Sequence, residues 1–345
     1  MRSLEQSWYR RAGWLILLWP VSLLFRLLAS MRRRYHWSVA RTNLPALPVV
    51  VVGNISVGGT GKTPLIIGLA RTLKKAGLQP GVISRGYLGK APHYPFKVES
   101  DSRVEEVGDE ALLIARALDC PMVVDPDRVQ ALEKITSEYQ CDVILSDDGL
   151  QHYALPRDLE IVVIDGERLF GNGWCLPAGP LREPVSRLES IPYLIINGER
   201  REGEIPPELD RAYEMSLKPT YLTNLRSGEK KPFRAAPFNI GTTVHAVTGI
   251  GNPNRFFSLL STLPYEVTRH DFPDHHPFCE EDFKLLDIDE RHPVVMTEKD
   301  AVKCQEFAKS NYWFLKVEVE LPDELLQKLL NDIRQLVENR KKPES

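Results

Sequence analysis

The chain has 345 residues, 43% hydrophobic and 26% charged, a composition that excludes wholesale disorder and allows two domains of ordinary size. The formal net charge is only −3 and no long basic run sits beside aromatics, which argues against nucleic acid as a partner. Five scattered cysteines (Cys120, Cys141, Cys175, Cys279 and Cys304) without a CxxC pair read as small buried thiols in a reducing compartment.

Residues Ala12 to Phe25 are almost wholly apolar, and the run continues through Arg26 to Met31. Arg10 and Arg11 precede it, and Arg32-Arg33-Arg34 follow. Arginines behind the run and the lack of a small-x-small cleavage site argue against a signal peptide. A spanning helix needs about 20 predominantly apolar residues. This run reaches that length only with Arg26 included, and Pro20 would remove an amide donor near its middle. Ser22, Arg26 and Ser30 share one helical face, and Trp8, Trp14, Trp19 and Trp37 suit a headgroup boundary. The expectation is a helix lying in one leaflet at a cytoplasmic membrane surface, ahead of a full span or a soluble core helix.

Arg41-Thr42-Asn43-Leu44-Pro45 reads as a linker, which closes an N-terminal unit at residues 1–45. From Ala46, short β-branched runs alternate with helical patterns, predicting an α/β fold with a mostly parallel sheet and helices on both faces. Strands are expected at Pro48–Val52, Pro80–Ser84, Met122–Val124, Val143–Ser146, Glu160–Ile164 and Tyr193–Ile196. Helices are expected over Thr63–Ala76, Asp109–Leu118 and Arg128–Tyr139. Around Tyr221–Phe238 the pattern weakens, and Arg226 to Pro232 reads as a turn between two short extended pieces. One domain is therefore expected over residues 46–220 and a connection over 221–242. A smaller α/β domain follows at 243–345, with strands Val244–Val247, Val294–Thr297 and Tyr312–Val319 and helices Asn254–Thr262 and Asp323–Asn339. The charged end, Arg340 to Ser345, is expected to fray.

The apolar strand Val49-Val50-Val51-Val52 runs through Gly53-Asn54 into Ser56-Val57-Gly58-Gly59-Thr60-Gly61-Lys62-Thr63, where a helix begins. This is the context of a P-loop: glycines let backbone amides converge on phosphate oxygens, and the helix N-terminus favours negative charge. Lys62 would reach the β- and γ-phosphates of ATP, and Thr63 would ligate Mg²⁺. Ser56 stands where the pattern has its first glycine. A P-loop enzyme also needs a carboxylate at a neighbouring strand end to hold or orient the metal. Asp147-Asp148 after Val143-Ile144-Leu145-Ser146 has that form, and Asp165 after Ile161–Ile164 is the rival.

Longer phrases carry a family resemblance. Gly53 to Pro64, Ser84-Arg85-Gly86-Tyr87, Gly108-Asp109-Glu110, Asp147 to His152, Leu176 to Glu183, Gly249 to Pro253, Asp274-His275-His276 and Thr297 to Lys303 resemble tetraacyldisaccharide 4'-kinase, the lipid A 4'-kinase of Gram-negative bacteria. The resemblance implies transfer of the ATP γ-phosphate to the 4'-hydroxyl of an acylated glucosamine disaccharide 1-phosphate at the cytoplasmic face of the inner membrane. It also implies a P-loop domain joined by a two-stranded linker to a smaller domain that closes on the nucleotide. By motif position, Asp109 would be the catalytic carboxylate, partnered by His275 rather than His276. Without the resemblance, Asp109 reads as a helix N-cap and the histidines as loop residues.

The same resemblance gives Thr63, Asp147 and Glu183 to Mg²⁺, with Asp148 close by. Arg85, Arg128 and Arg182 are candidates for substrate phosphate or transition-state charge. Tyr87 and Gln151 are expected on the substrate side. The partners expected are the lipid substrate and the membrane surface, with no obligate protein partner. Gly249-Ile250-Gly251 lacks the third glycine of a dinucleotide turn. The competing class is a membrane-bound P-loop ATPase switch of the cell-division or partition type. Val57 stands where such loops carry an extra lysine, and the apolar helix here is N-terminal.

Overall fold

The computed structural model describes residues 2–10, 12–40, 45–198 and 206–341, with the side chains of 2, 3 and 37–40 outside that description. Arg11, the linker at 41–44, the side chain of Trp37 and the end at 342–345 lie outside the described residues.

Helix α1 (Arg2–Arg10), a 3-10 segment (Gly13–Leu18) and α2 (Trp19–Ala40) precede the sheet. The first half follows as β1 (Val49–Gly53), α3 (Lys62–Lys75), β2 (Pro80–Ser84), β3 (Phe96–Lys97), α4 (Val104–Val107), α5 (Asp109–Ala117), β4 (Met122–Val124), α6 (Arg128–Glu138), β5 (Val143–Asp147), β6 (Leu159–Asp165) and β7 (Tyr193–Asn197). The second half holds β8 (Tyr213–Asn224), β9 (Lys230–Pro232), β10 (Thr243–Thr248), α7 (Pro253–Leu260), β11 (Glu266–Asp271), α8 (Glu280–Leu285), β12 (Val294–Thr297), α9 (Glu298–Cys304), β13 (Tyr312–Glu320) and α10 (Asp323–Lys341).

Strand β1 pairs in parallel with both β5 and β6, so it needs apolar side chains on both faces. The period of two sends Val50 and Val52 into one core with Leu65 and Leu69 of α3. Val49 and Val51 enter the opposite core with Ile164 and Leu194. The strand order is β11-β10-β12-β13-β8-β7-β6-β1-β5-β2-β4-β3, with β9 on β8. All parallel strands around β1 end on the side where the loop before α3 begins, which is where an open α/β sheet presents its ligand site.

Strand β8 joins the halves. Its first residues run parallel to β7, with Ile195 opposite Tyr213, and the rest runs antiparallel to β13. Leu325, Leu329, Ile333 and Val337 of α10, at four-residue spacing, return to the core of α3. Each such side chain contributes roughly 1.5–3 kcal/mol by burial. The second half has its own cores, around Val244, Phe256 and Trp313 on one face and Val247, Phe278 and Met296 on the other. The fold is thus the expected α/β architecture, a P-loop-type parallel sheet with a smaller α/β part behind it.

Four local expectations are corrected. Pro20 lies in the first turn of α2, where its missing N–H removes no helical bond, and the preceding turn is 3-10. The end does not fray at Arg340: α10 continues to Lys341, Arg340 lies 2.7 Å from Asp158, and Lys341 lies 2.9 Å from Asp142. Cys279 is exposed rather than buried. Around Tyr221–Pro232 the two extended pieces and the turn are present, but the first is the end of the twelve-residue β8 and the second, Lys230–Pro232, takes up the last part of the expected turn.

Ser22 of α2 is buried and donates to the carbonyl of Cys175 at 2.6 Å, and Phe25 packs on the core behind it. Arg26, expected on the same face, is exposed. Leu17, Trp19, Leu24, Leu28 and Met31 are exposed as well. The segment Gly13–His36 is long and apolar enough to cross a membrane, and only 11% of its most apolar window is buried, which sets aside a soluble core helix.

A buried ion cluster ties the first half together. Arg187 lies 2.6 Å from Glu160 and 3.3 Å from Glu183, all three nearly inaccessible, and Arg157 lies 3.2 Å from Glu160. Arg187→Met leaves two buried carboxylates short of a cation, so unfolding free energy should fall by about 3–5 kcal/mol. Denaturant unfolding in detergent measures this; a loss below about 1 kcal/mol would contradict the assignment.

Candidate active site

Asn54 shapes the loop after β1. Its side-chain amide donates to the carbonyls of Ser56 at 2.8 Å and Gly58 at 3.2 Å. The Val57 amide donates to the Pro180 carbonyl at 2.8 Å. Ser56, at the first glycine position, bridges to Leu181 as in a short strand pair, an extended conformation that does not require glycine. At the other end, Asn197 of β7 donates to the Thr60 carbonyl at 2.9 Å. Gly61 has φ +96°, and a Cβ there would fall 2.4 Å from Asn197 Nδ2, so this position requires glycine. Gly59 lies against Gly251 of the second half.

Lys62 and Thr63 open α3 and are both buried. Lys62 Nζ lies 3.4 Å from Asp148 Oδ1. Asp147 ends β5, where its Oδ2 accepts from Ser84 at 3.3 Å. Its Oδ1 is buried without a hydrogen-bond partner. Burial, reinforced by Glu110 and Asp148, pushes the Asp147 carboxyl up to about 7. Lys62 and Arg128 offset this only in part, and among the described residues no cation pairs directly with the carboxylate. Asp148 behaves oppositely: burial is outweighed by Lys62 and Arg182, which hold it well below the usual carboxylate range. It sits at φ +46°, turning the chain out of the strand. The rival Asp165 is occupied: Asn252 lies 3.2 Å away and Arg255 3.3 Å away, both from the second half.

Arg182 reaches Asp148 Oδ2 at 3.1 Å and Gln151 Oε1 at 3.3 Å. Gln151 donates to Asn54 O at 2.9 Å and to Glu183 Oε1 at 2.8 Å. Glu183 also meets Arg187 at 3.3 Å and, from α2, Arg33 at 3.9 Å. Arg128 is buried and donates to the carbonyls of Asp148 at 3.2 Å and Pro126 at 3.3 Å. Arg85 is exposed nearby. Asp148, Gln151, Arg182 and Glu183 thus form one chain of contacts with Lys62 at its end. Glu183 has no contact within hydrogen-bonding distance to Thr63 or Asp147 among the described residues.

Gly108, at φ +83°, caps α5, and a Cβ there would meet the Tyr87 carbonyl at 2.3 Å. Asp109 is accordingly the first helical residue and not the N-cap. Its Oδ2 lies 3.0 Å from His275 Nδ1, across a separation of 166 residues. Burial raises its pKa, but the His275 hydrogen bond with Lys299 and Lys303 brings it down to about 2. His275 sits at φ +58° in the loop after β11, with its amide donating to Gly249 O at 3.0 Å. The ring of Tyr87 meets the His275 ring edge-on at 5.1 Å. His276 instead pairs with Asp282 at 2.9 Å.

Sequence reading passed over three charged neighbours. Lys299 Nζ lies 2.9 Å from Glu110 Oε1 and 3.1 Å from His275 Nε2. Lys303 Nζ lies 3.7 Å from Asp109 and 2.9 Å from Asp300. Glu110 is held down against burial by Lys299 and Lys62, so the dyad and the phosphate loop share one electrostatic field. The four-residue spacing of Lys299 and Lys303 on one helix face was the available signal.

Among the described residues no group of three or more His, Cys, Asp or Glu side chains gathers to hold a metal. Mg²⁺ is usually bound through one or two carboxylates plus substrate phosphates, and the unpartnered Asp147 oxygen near the Thr63 loop fits that donor set.

The family model for tetraacyldisaccharide-1-P 4'-kinase matches residues 14–334. The tetraacyldisaccharide 4'-kinase of Methylobacillus flagellatus is 45% identical over 339 residues, 98% of this chain and 97% of that protein. The same enzyme of Nitrosococcus oceani is 46% identical over 95% of this chain and 93% of its own length. Among solved structures, LpxK from Aquifex aeolicus in complex with ATP superposes with a TM-score of 0.73 at 26% identity, covering 94% of this chain and 99% of that one. These matches leave the partition-type ATPase alternative without support. By the extent of the family match and the identity of these relatives, the chain belongs to the tetraacyldisaccharide-1-P 4'-kinase family.

Proposed function

We propose that this protein is an ATP- and Mg²⁺-dependent kinase that transfers the γ-phosphate to the 4'-hydroxyl of tetraacyldisaccharide 1-phosphate in lipid A biosynthesis. The observation that carries the reading is the Asp109–His275 pair at 3.0 Å, beside a phosphate loop whose lysine and neighbouring acids share its field.

The Ser56–Thr63 loop and Lys62 bind the triphosphate. Thr63 and Asp147 would hold Mg²⁺, with Asp148 and Glu183 near them, and the ion would supply neutralisation of the phosphate charge. In the transfer, a bond forms from the 4'-oxygen to the γ-phosphorus and the bond to the β,γ-bridging oxygen breaks, releasing ADP. Asp109 takes the hydroxyl proton as His275 orients it. A carboxylate as acidic as Asp109 suits a loose transition state, in which the hydroxyl becomes acidic only as the new bond forms. Arg182 and Arg128 fix Asp148 from its side chain and its carbonyl. Arg85 and Tyr87, both exposed, remain for the substrate.

The chain is read as a P-loop domain at 46–220, a connection at 221–242 and a smaller domain at 243–345. Helix α2 lies in the cytoplasmic leaflet of the inner membrane. Its exposed Trp19, Leu24, Leu28 and Met31, with Leu17 just before it and Arg32-Arg33-Arg34 after, support this. Arg33, 3.9 Å from Glu183, supports a lipid surface close to these acids.

With ATP, Mg²⁺ and tetraacyldisaccharide 1-phosphate in detergent micelles, the protein should form the bisphosphorylated lipid. A preparation that binds ATP yet makes none would contradict the kinase reading. Asp109→Asn and His275→Ala should each lower kcat by about 10²–10⁴-fold, with KM for ATP held within about twofold. Near-normal turnover of either variant removes that residue from the mechanism.

A further inference from the structure

We infer that Lys299 is a positioning residue for the phosphoryl transfer: its ammonium fixes His275 in the tautomer that carries its proton on Nδ1, which in turn aims the Asp109 carboxylate. The inference deepens the kinase reading and rests on it.

An ammonium group has three donors and no acceptor. Lys299 Nζ lies 3.1 Å from His275 Nε2, so Nε2 must offer its lone pair. The proton of the neutral ring is then on Nδ1, 3.0 and 3.1 Å from the two Asp109 oxygens. The tautomer of a histidine is set by the bond its other nitrogen makes. A free neutral imidazole prefers its proton on Nε2; here the Asp109 carboxylate accepts at Nδ1 and the ammonium supplies the donor at Nε2, so the two bonds together hold the Nδ1–H form.

The ammonium is held for this task. It also donates to Glu110 Oε1 at 2.9 Å and lies in ion-pair range of Asp274 Oδ1 at 3.7 Å. Its backbone is fixed at the start of α9, where Thr297 caps the helix through the Asp300 amide. Asp300, fully buried, accepts from Thr248 Oγ1 at 2.9 Å, from the Gly249 amide at 3.1 Å and from Thr297 Oγ1 at 2.6 Å. The ends of β10 and β12 are thereby locked to the base of Lys299. Gly249 also accepts the His275 amide, so one buried carboxylate registers both the imidazole and the ammonium. The charged groups around the ring are Asp109, Glu110, Asp274, Lys299 and Lys303, with the Tyr87 ring on one edge.

The test combines kinetics with ¹⁵N NMR of the imidazoles in the full-length protein in detergent, the His275 signals being assigned by their loss in His275→Gln. Wild-type protein should show His275 protonated on Nδ1; protonation on Nε2 overturns the inference without any variant. Lys299→Met should move the ring toward the Nε2–H form and lower kcat by at least about 10²-fold, with KM for ATP within about twofold. Lys299→Arg should restore the Nδ1–H form and most of the turnover. A Lys299→Met protein that keeps the Nδ1–H form overturns the inference whether or not kcat falls, because the lysine then acts through Glu110 or through lobe contact. The NMR reading does not depend on turnover: if wild-type protein makes no bisphosphorylated lipid, the kinase reading fails while the tautomer assignment is still decided by the spectrum.

Discussion

Asp109 and His275 meet at 3.0 Å although 166 residues separate them, and they belong to opposite halves of the sheet. Holding a carboxylate and an imidazole in that register requires the halves to be fixed to better than the length of a hydrogen bond. The fold answers with one shared strand, β8, and with α10 returning to the first core. Direct contacts complete the joint: Asn252 and Arg255 hold Asp165, Arg168 donates to the Gly251 carbonyl, and Lys299 holds Glu110. The Gly249–Gly251 turn, which lacks the dinucleotide pattern, serves as a close contact against the phosphate loop.

Charge is distributed with the same economy of position. Five carboxylates surround the loop, Asp109, Asp147 and Glu183 buried and Glu110 and Asp148 half-buried, and among the described residues each except Asp147 has a cation within 4 Å. Burial would push all of them toward the neutral acid. The His275 hydrogen bond with Lys299 and Lys303 reverses that for Asp109, and Lys62 and Arg182 do so for Asp148, while Asp147 stays high at about 7. The contrast marks Asp147 as the acid without a direct ion-pair partner among the described residues, the observation behind proposing it as a Mg²⁺ ligand. The arginines work mainly by clamping. Arg182 and Arg128 hold Asp148, and Gln151 bridges loop and acid rather than facing outward.

The central strand, the phosphate loop and the acids after β5 were legible because local sequence dictates them: a four-valine run, three glycines, a lysine and paired acids at a strand end. Edge strands were not. Strand β11, Glu-Val-Thr-Arg-His-Asp, alternates without a buried face, and β3 has two residues. Asp109 read locally as a cap because a helix follows it, yet Gly108 takes that place since only glycine fits against Tyr87. His275 was recoverable only through family resemblance, as nothing local distinguishes it from His276. Lys299 was hidden for the same reason: Glu298-Lys299-Asp300 reads as a solvated helix start until tertiary contacts give each charge a partner.

A double-mutant cycle on kcat tests most directly whether Asp109 and His275 act as one unit across the halves. Turnover of the lipid acceptor is measured for Asp109→Asn, His275→Ala and the double variant under one set of conditions. If the pair works as a unit, the double variant falls no further than about threefold below the worse single variant. Losses that multiply, so that the logarithms of the two single effects add, would show two independent residues and contradict the account.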